Sequence, residues 1–399
     1  MNIVIVGGGI AGTSAAEEIR KRLPEATITI LEQEQHALYS RVLLPHYVKG
    51  KVTRERVFLR SPEWYAKERI ELVTGLQVLS IDAKNKFVAT TDGREHPFDQ
   101  LLIATGGEPA LINDDQRGVS YLHSIDDADH LLKLLGELAT RPKAERQAAV
   151  YGGGFIACEY ANIFQHYGIA FTLLMKSRGF WSKSLSPDSQ LILRQHAASL
   201  GVRLVTGVEQ LELLGDNALS AVRANGEEFK AALLGVGIGS TSDDQLLLDA
   251  GLELADGIAV NEFLQTNLEN VWAAGDATAI EDTAVGRRLR YGNWQHAQTQ
   301  GRIAGQNMAS TFAKASSDKG ERVPFRLVSQ YSTNLLGLHI VFIGDVSRQA
   351  ADEVKLVSLS PKSSEEHFIR NGKLVGAVLL GDLTKRGTLV AAIGQRYDA

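Results

Sequence analysis

The chain opens on a short apolar run, residues 2–6 (NIVIV), that stops at three glycines, and residues 13–22 then carry apolar positions at helical spacing. A second apolar run, Ala26 to Leu31 (ATITIL), ends at the acid Glu32. Apolar runs on either side of a helical period predict a βαβ unit, which implies parallel pairing of its strands. The same order returns 145 positions later: Ala148-Ala149-Val150-Tyr151 leads into Gly152-Gly153-Gly154, a helical stretch to Gly168, then Ala170 to Met175 (AFTLLM). A duplicated dinucleotide-type fold is predicted, at a spacing too wide for a solenoid repeat.

Between the two copies, residues 77–103 read as short strands with a turn at Thr91-Asp92-Gly93, ending in the apolar run Leu101-Leu102-Ile103. Residues 256–276 alternate again and end in Ala-Ala-Gly-Asp. The polar, small-residue stretch 312–322 predicts a linker. Beyond it, strand-like runs at 340–343, 354–357 and 374–380, with helical character at the end, predict a separate α+β module.

A chain of 399 residues is too long for one core of ordinary size, so two or three domains are expected. The formal net charge of −5 argues against nucleic acid or an anionic membrane as the main partner. Cys158 stands alone, so no intramolecular disulfide or two-cysteine redox centre can form, which fits a reducing compartment. The first residues lack the basic region of a signal peptide, and no stretch reaches the roughly 20 apolar residues of a membrane span. A cytoplasmic protein is expected. The histidines show neither HxH nor HExxH spacing, so no metal site is expected.

The chemistry is concentrated at the glycines. Gly7-x-Gly9-x-x-Gly12 follows a strand and opens a helix at Ile10 and Ala11. Such glycines serve a tight turn, backbone approach to a pyrophosphate, and close helix–strand packing. The helix N-terminus then offers free N–H groups to phosphates. Glu32, 20 residues past Gly12 and followed by Gln33, stands where an acid can bond ribose hydroxyls. Gly152-x-Gly154-x-x-Ala157 repeats the logic, with Phe155 and Ile156 at the helix start. Here the following strand ends at Met175 instead of an acid, with Lys176 and Arg178 next. Cations there could meet the 2′-phosphate of NADP, or be solvated surface charges on an NAD site.

Over nearly its whole length the chain resembles the FAD-dependent pyridine nucleotide–disulfide oxidoreductase superfamily. Leu101-Leu102-Ile103-Ala104-Thr105-Gly106 is similar to the family's crossover between two dinucleotide units. Thr266 to Asp276, ending Ala273-Ala274-Gly275-Asp276, is similar to its second FAD motif, whose Asp bonds the ribityl chain. Asn293-Trp294-Gln295-His296-Ala297, through Gly301 and Gly305, is similar to the helix that lies against the flavin. The stretches Tyr39 to Leu44 and Ser332 to Gly337 look most like NADH-dependent rubredoxin reductases and the flavin half of assimilatory nitrite reductases.

The resemblance implies an α/β fold of two Rossmann-like domains plus a C-terminal α+β interface domain. It assigns residues 1–117 and 245–315 to FAD, 118–244 to NAD(P) and 320–399 to the last domain. It further places Arg41, Val42, Val78, Ala104, Thr105, Gly106, Gly275, Asp276, Trp294 and His296 on the FAD side. Glu159, Phe155 and Ile156 fall on the nicotinamide side.

Two departures stand out. Members that reduce disulfides or peroxides need a cysteine after the first βαβ unit, and that place holds Val42. Electrons would leave the flavin directly for an external acceptor. The family's lysine near the flavin, paired with the glutamate that is Glu159 here, aligns with His46, and a His46–Glu159 pair could tune the flavin or relay a proton. The implied activity is hydride transfer from NAD(P)H to FAD and onward electron transfer, with rubredoxin, ferredoxin or a similar carrier as acceptor. Two alternatives stay open. One is a flavin-bearing subunit of a larger complex that uses no nicotinamide, for which the Gly235–Gly239 stretch and Met175 leave room. The other is a non-enzymatic flavin sensor or assembly protein. A homodimer and a complex subunit are both compatible with the C-terminal domain.

Overall fold

The computed structural model describes residues 1–112, 116–311 and 322–397; most of the expected linker at 312–322 lies outside the described residues. Along the chain the elements used below are β1 (Asn2–Val6), α1 (Ile10–Arg22), β2 (Thr27–Glu32), α2 (Leu44–Val48), β3 (Ile70–Thr74), β4 (Gln100–Ile103), β5 (Val119–Ser120) and α3 (Ile125–Ala139). They continue with β6 (Gln147–Tyr151), α4 (Phe155–His166), β7 (Ala170–Met175), α5 (Pro187–Ser199), β8 (Arg203–Thr206), β9 (Leu233–Val236), β10 (Val271–Ala273) and α6 (Trp294–Ser310). The C-terminal set is β11 (Gln330–Leu335), β12 (Leu338–Gly344), β13 (Glu353–Ser360), β14 (Ser363–Arg370), β15 (Lys373–Leu380) and α7 (Arg386–Ala392).

By their contacts the described residues divide into two compact units. One comprises Met1–Ser40, Arg54–Gly107 and Ser242–Leu327; the other comprises Arg41–Thr53, Glu108–Thr241 and Val328–Ala399. Each contains a five-stranded parallel sheet, in the order β10-β4-β1-β2-β3 in the first and β8-β7-β6-β9-β5 in the second. The central strands are apolar on both sides, as parallel strands covered on both faces must be. Each unit also carries a three-stranded antiparallel meander, at residues 78–97 between the third and fourth parallel strands of the first unit and at residues 211–230 between the fourth and fifth of the second.

In the first unit Ile3, Ile5, Ile28, Ile30, Leu101, Leu102 and Ile103 make a solvent-free core. Helix α1 is rich in small residues, and Ala11, Gly12, Ala15 and Ala16 are all buried. Its backbone nearly touches α6: a Cβ on Gly301 would lie 2.0 Å from the Ala11 carbonyl oxygen, and one on Gly305 would lie 2.6 Å from that of Ala15. Glycines four apart on one helix thus meet alanines four apart on the other. In the second unit Ala149, Leu174, Val222, Leu234 and Val236 form a core cluster.

The C-terminal sheet of the second unit runs antiparallel in the order β11-β12-β15-β14-β13, with α7 after it. It is anchored on α5 through Glu366 of β14, whose carboxylate accepts from the Ser186 amide at 3.0 Å and from the Ser189 hydroxyl, and meets Arg348 at 2.6 Å. A carboxylate this deeply buried needs those donors.

Candidate functional site

The five α-helices of ten or more residues among the described residues differ at their first turns. Ser124 and Asp127 form a full capping box on α3, Ser186 caps α5 and Asn293 caps α6. Helices α1 and α4 start on Gly9 and Gly154 with no side-chain cap. Their leading N–H groups are therefore left to solvent or to a ligand.

Local sequence builds both turns alike. Gly7 has φ +104°, and a Cβ there would lie 2.3 Å from the Ala104 carbonyl oxygen; Gly152 has φ +143°, with the Gly237 oxygen 2.1 Å from the equivalent point. Neither position tolerates a side chain. A Cβ on Gly9 or Gly154 would meet nothing within 4 Å, so the middle of each turn faces open space. Gly12 is pressed against Gly7, and Ala157 takes the corresponding place fully buried.

At the end of β2, Glu32 accepts from the Gly8 amide at 2.5 Å and from the Glu34 amide at 2.9 Å, which fixes its carboxylate beside the first turn. Gly275, ahead of Asp276, donates its amide at 2.7 Å to Oε1 of Gln300, a fully buried side chain whose Nε2 has no protein partner. The open cradle at Gly9, the uncapped α1, the acid beside the first turn and this orphaned amide fit a bound FAD. Asp276 would hold its ribityl chain and Glu32 a ribose. The second turn fits a dinucleotide in the same way, without the acid.

The remaining FAD candidates fall in diverse surroundings. Ile10 packs against the core and Val78 is buried at the start of the first meander, whereas Gln33 and Thr105 are exposed and Gly106 turns the chain at φ +72°. Trp294 begins α6. The His296 ring, only 1% exposed, packs between Tyr291 at 4.4 Å and Phe325 at 5.3 Å. Arg41 sits with the second unit and donates to the His123 carbonyl oxygen at 2.5 Å, and Val42 beside it is exposed.

The pairing at Glu159 differs from the sequence expectation. Its cation is Lys49, with Nζ 3.8 Å from the carboxylate, while His46 is exposed on α2. The cause is helical phase: Lys49 lies three residues after His46, at the C-cap of α2, and its side chain is far more enclosed. Burial pushes the Glu159 carboxyl up and Lys49 pulls it partly back. His46 is held below the usual histidine value by partial burial, helped by Lys49 and Lys51. Cys158, fully buried beside Glu159, has its thiol pushed well up by burial, which disfavours the thiolate that reactive cysteines need.

Sequence reasoning also missed an aromatic cluster over the second turn. Phe155 stacks on Tyr331 at 5.3 Å and meets Trp181 edge-on at 5.3 Å, and Trp181 packs on Phe342 at 5.1 Å. The Trp181 amide donates to the Gly153 carbonyl oxygen at 3.2 Å. Lys176, Ile156 and Arg178 are exposed around this turn. Among the described residues no group of three or more His, Cys, Asp or Glu side chains could hold a metal, and no helix is long and apolar enough to cross a membrane.

Comparison with known proteins agrees with this picture. The pyridine nucleotide-disulphide oxidoreductase family matches residues 1–301, and the rubredoxin NAD+ reductase C-terminal domain matches 332–397. The nitrite reductase [NAD(P)H] of Bacillus subtilis is 26% identical over 99% of this chain, which spans only 47% of that protein's length. The ferredoxin reductase subunit of the 5,5′-dehydrodivanillate O-demethylase of a Sphingobium strain is 31% identical, covering 83% of this chain and 80% of that one. Putidaredoxin reductase, in its covalent complex with putidaredoxin, shares the fold at a TM-score of 0.84 and 23% identity, over 98% of this chain and 92% of its own. With the glycine turns, the ribityl-type aspartate and these matches in hand, the chain belongs to the pyridine nucleotide-disulphide oxidoreductase family.

Proposed function

We propose that the protein is a flavoprotein reductase that draws electrons from NAD(P)H and passes them through FAD to a small redox protein of the rubredoxin or ferredoxin kind. The observation that carries this reading is the duplicated, uncapped glycine turn, acid-equipped at Glu32, in a chain whose lone cysteine is buried. No dithiol relay can operate, so reducing equivalents must leave for an external acceptor. The relatives named above, a ferredoxin reductase subunit and a putidaredoxin reductase, support that acceptor class.

Bound FAD would supply the exchange between two-electron and one-electron chemistry, which no side chain can perform. The chain's own residues bind, orient and screen. Residues 1–117 and 245–315 would hold the flavin dinucleotide, 118–244 the nicotinamide dinucleotide, and 320–399 an interface. Lys49 and Glu159 form the ionisable pair best suited to hold a proton, because burial raises the affinity of Glu159 for one. We place the protein in the cytoplasm, in keeping with its single reduced cysteine.

A second reading, a flavin subunit fed by a partner instead of by nicotinamide, is favoured by the aromatic cluster of Phe155, Trp181 and Tyr331 over the second turn. The test is carrier reduction. FAD-loaded protein with NADPH or NADH should reduce a rubredoxin or a small ferredoxin well above the rate with free FAD. A rate no better than free FAD for every carrier would overturn the reductase reading.

A further inference from the structure

The adenosine end of the second site carries chemistry that its glycine turn does not. Met175, fully buried, closes β7 where Glu32 closes β2, and the two stand in the same relation to their turns. A Cβ on Gly8 would lie 2.9 Å from Glu32 Oε2; one on Gly153 would lie 2.8 Å from Met175 Sδ. A thioether accepts hydrogen bonds only weakly, so this unit cannot hold a ribose diol as a carboxylate does.

The loop that follows is both basic and pinned. The Gly207 amide donates to the Ser177 carbonyl oxygen at 3.2 Å, and the Ser177 hydroxyl donates to that of Gly179 at 2.7 Å. From α5, Gln190 donates to the Phe180 carbonyl oxygen, and Arg194, one turn further along, donates to that of Arg178. Arg194 of α5 thereby reaches the loop that carries Lys176 and Arg178, and all three are exposed. None of the three has an ion-pair partner among the described residues, whereas Arg203 and Arg223 of the same unit do. Like charges held together without counter-charge favour a multivalent anion.

We infer that the second unit selects NADPH over NADH, with Lys176, Arg178 and Arg194 receiving the 2′-phosphate and Met175 withholding the ribose contact that NADH would need. The inference rests on the reading that this unit binds a nicotinamide dinucleotide. Charge-assisted contacts of this kind give a preference on the order of tenfold or more.

The test is calorimetric titration of the FAD-loaded protein with NADP+ and NAD+, with adenosine 2′,5′-bisphosphate and 5′-AMP as fragments lacking the nicotinamide. The expected result is tighter binding of NADP+ and of the bisphosphate, with the advantage shrinking as salt rises. A Lys176→Gln/Arg178→Gln variant should bring the NADP+ to NAD+ affinity ratio near one, and Met175→Glu should move it toward NAD+. Flavin content serves as the folding control. Equal or tighter binding of NAD+ by the natural chain, or a ratio that survives in the double variant, would overturn the inference and leave the reductase reading intact. Binding of neither dinucleotide would overturn both.

Discussion

The two Rossmann-like units share the order of four parallel strands, a meander and a glycine turn, yet they diverge at the end of the strand after that turn. Glu32 in the first is a carboxylate that accepts two backbone amides, while Met175 in the second is an apolar plug followed by a cationic loop. The parts that place a pyrophosphate are backbone features, set by positive φ and by the absence of Cβ atoms, and they survive duplication unchanged. The parts that choose which dinucleotide is bound are side chains at the end of the second strand, and those are free to differ. Architecture thus supplies two sites, and a single strand-end residue separates their chemistry.

Blocking either turn is the strongest way to break this comparison. Gly7→Val forces a β-branched residue to φ +104° and into the Ala104 carbonyl, and Gly152→Val does the same against Gly237. Each should weaken its own ligand by at least about 100-fold. Gly7→Val should purify without flavin. Gly152→Val should keep its flavin, read from the flavin-to-protein absorbance ratio, and lose reduction by NAD(P)H. Loss of flavin in both would mean that the turns are not separable.

A smaller effect is expected at Glu32. Glu32→Ala removes the acceptor of two amides and of the expected ribose contact. FAD affinity, measured by equilibrium dialysis, should fall by roughly tenfold to a hundredfold, the worth of about 1.5–3 kcal/mol for a charged hydrogen bond. Unchanged affinity would remove the acid from the contrast with Met175.

How far the sequence alone reached follows the same division. The glycine turns, the parallel strands and the acid at Glu32 were legible because each depends on residues within one βαβ unit. The Lys49–Glu159 pair was not, because residue spacing alone does not say which of His46 and Lys49 faces α4; the phase of the short helix α2 decides that. The cluster of Phe155, Trp181, Tyr331 and Phe342 joins segments up to 187 positions apart and has no local signature. His296 lies on the buried stripe of α6 with Gln300 and Ala304, and its packing against Tyr291 and Phe325 depends on segments that its own motif does not spell out.

The smallest predicted effect sharpens the role of that pair. Burial raises the Glu159 carboxyl and Lys49 opposes the rise, so Lys49→Met should lift it further. The buried carboxylate then costs stability above its folded value. That cost is relieved as pH falls through the folded value toward the lower unfolded one, so acidification in this window stabilises the protein. The pH midpoint of flavin reduction should move to higher pH in Lys49→Met and stay in place in His46→Ala. A shift seen only in the histidine variant would restore the pairing expected from sequence.

The central claim is that one glycine turn holds the flavin and the other feeds it. Its most direct test is anaerobic stopped-flow mixing of the FAD-loaded protein with NADPH and, separately, NADH, following flavin absorbance. Rapid bleaching is expected, faster with NADPH. A flavin that dithionite bleaches and neither nicotinamide touches would contradict it.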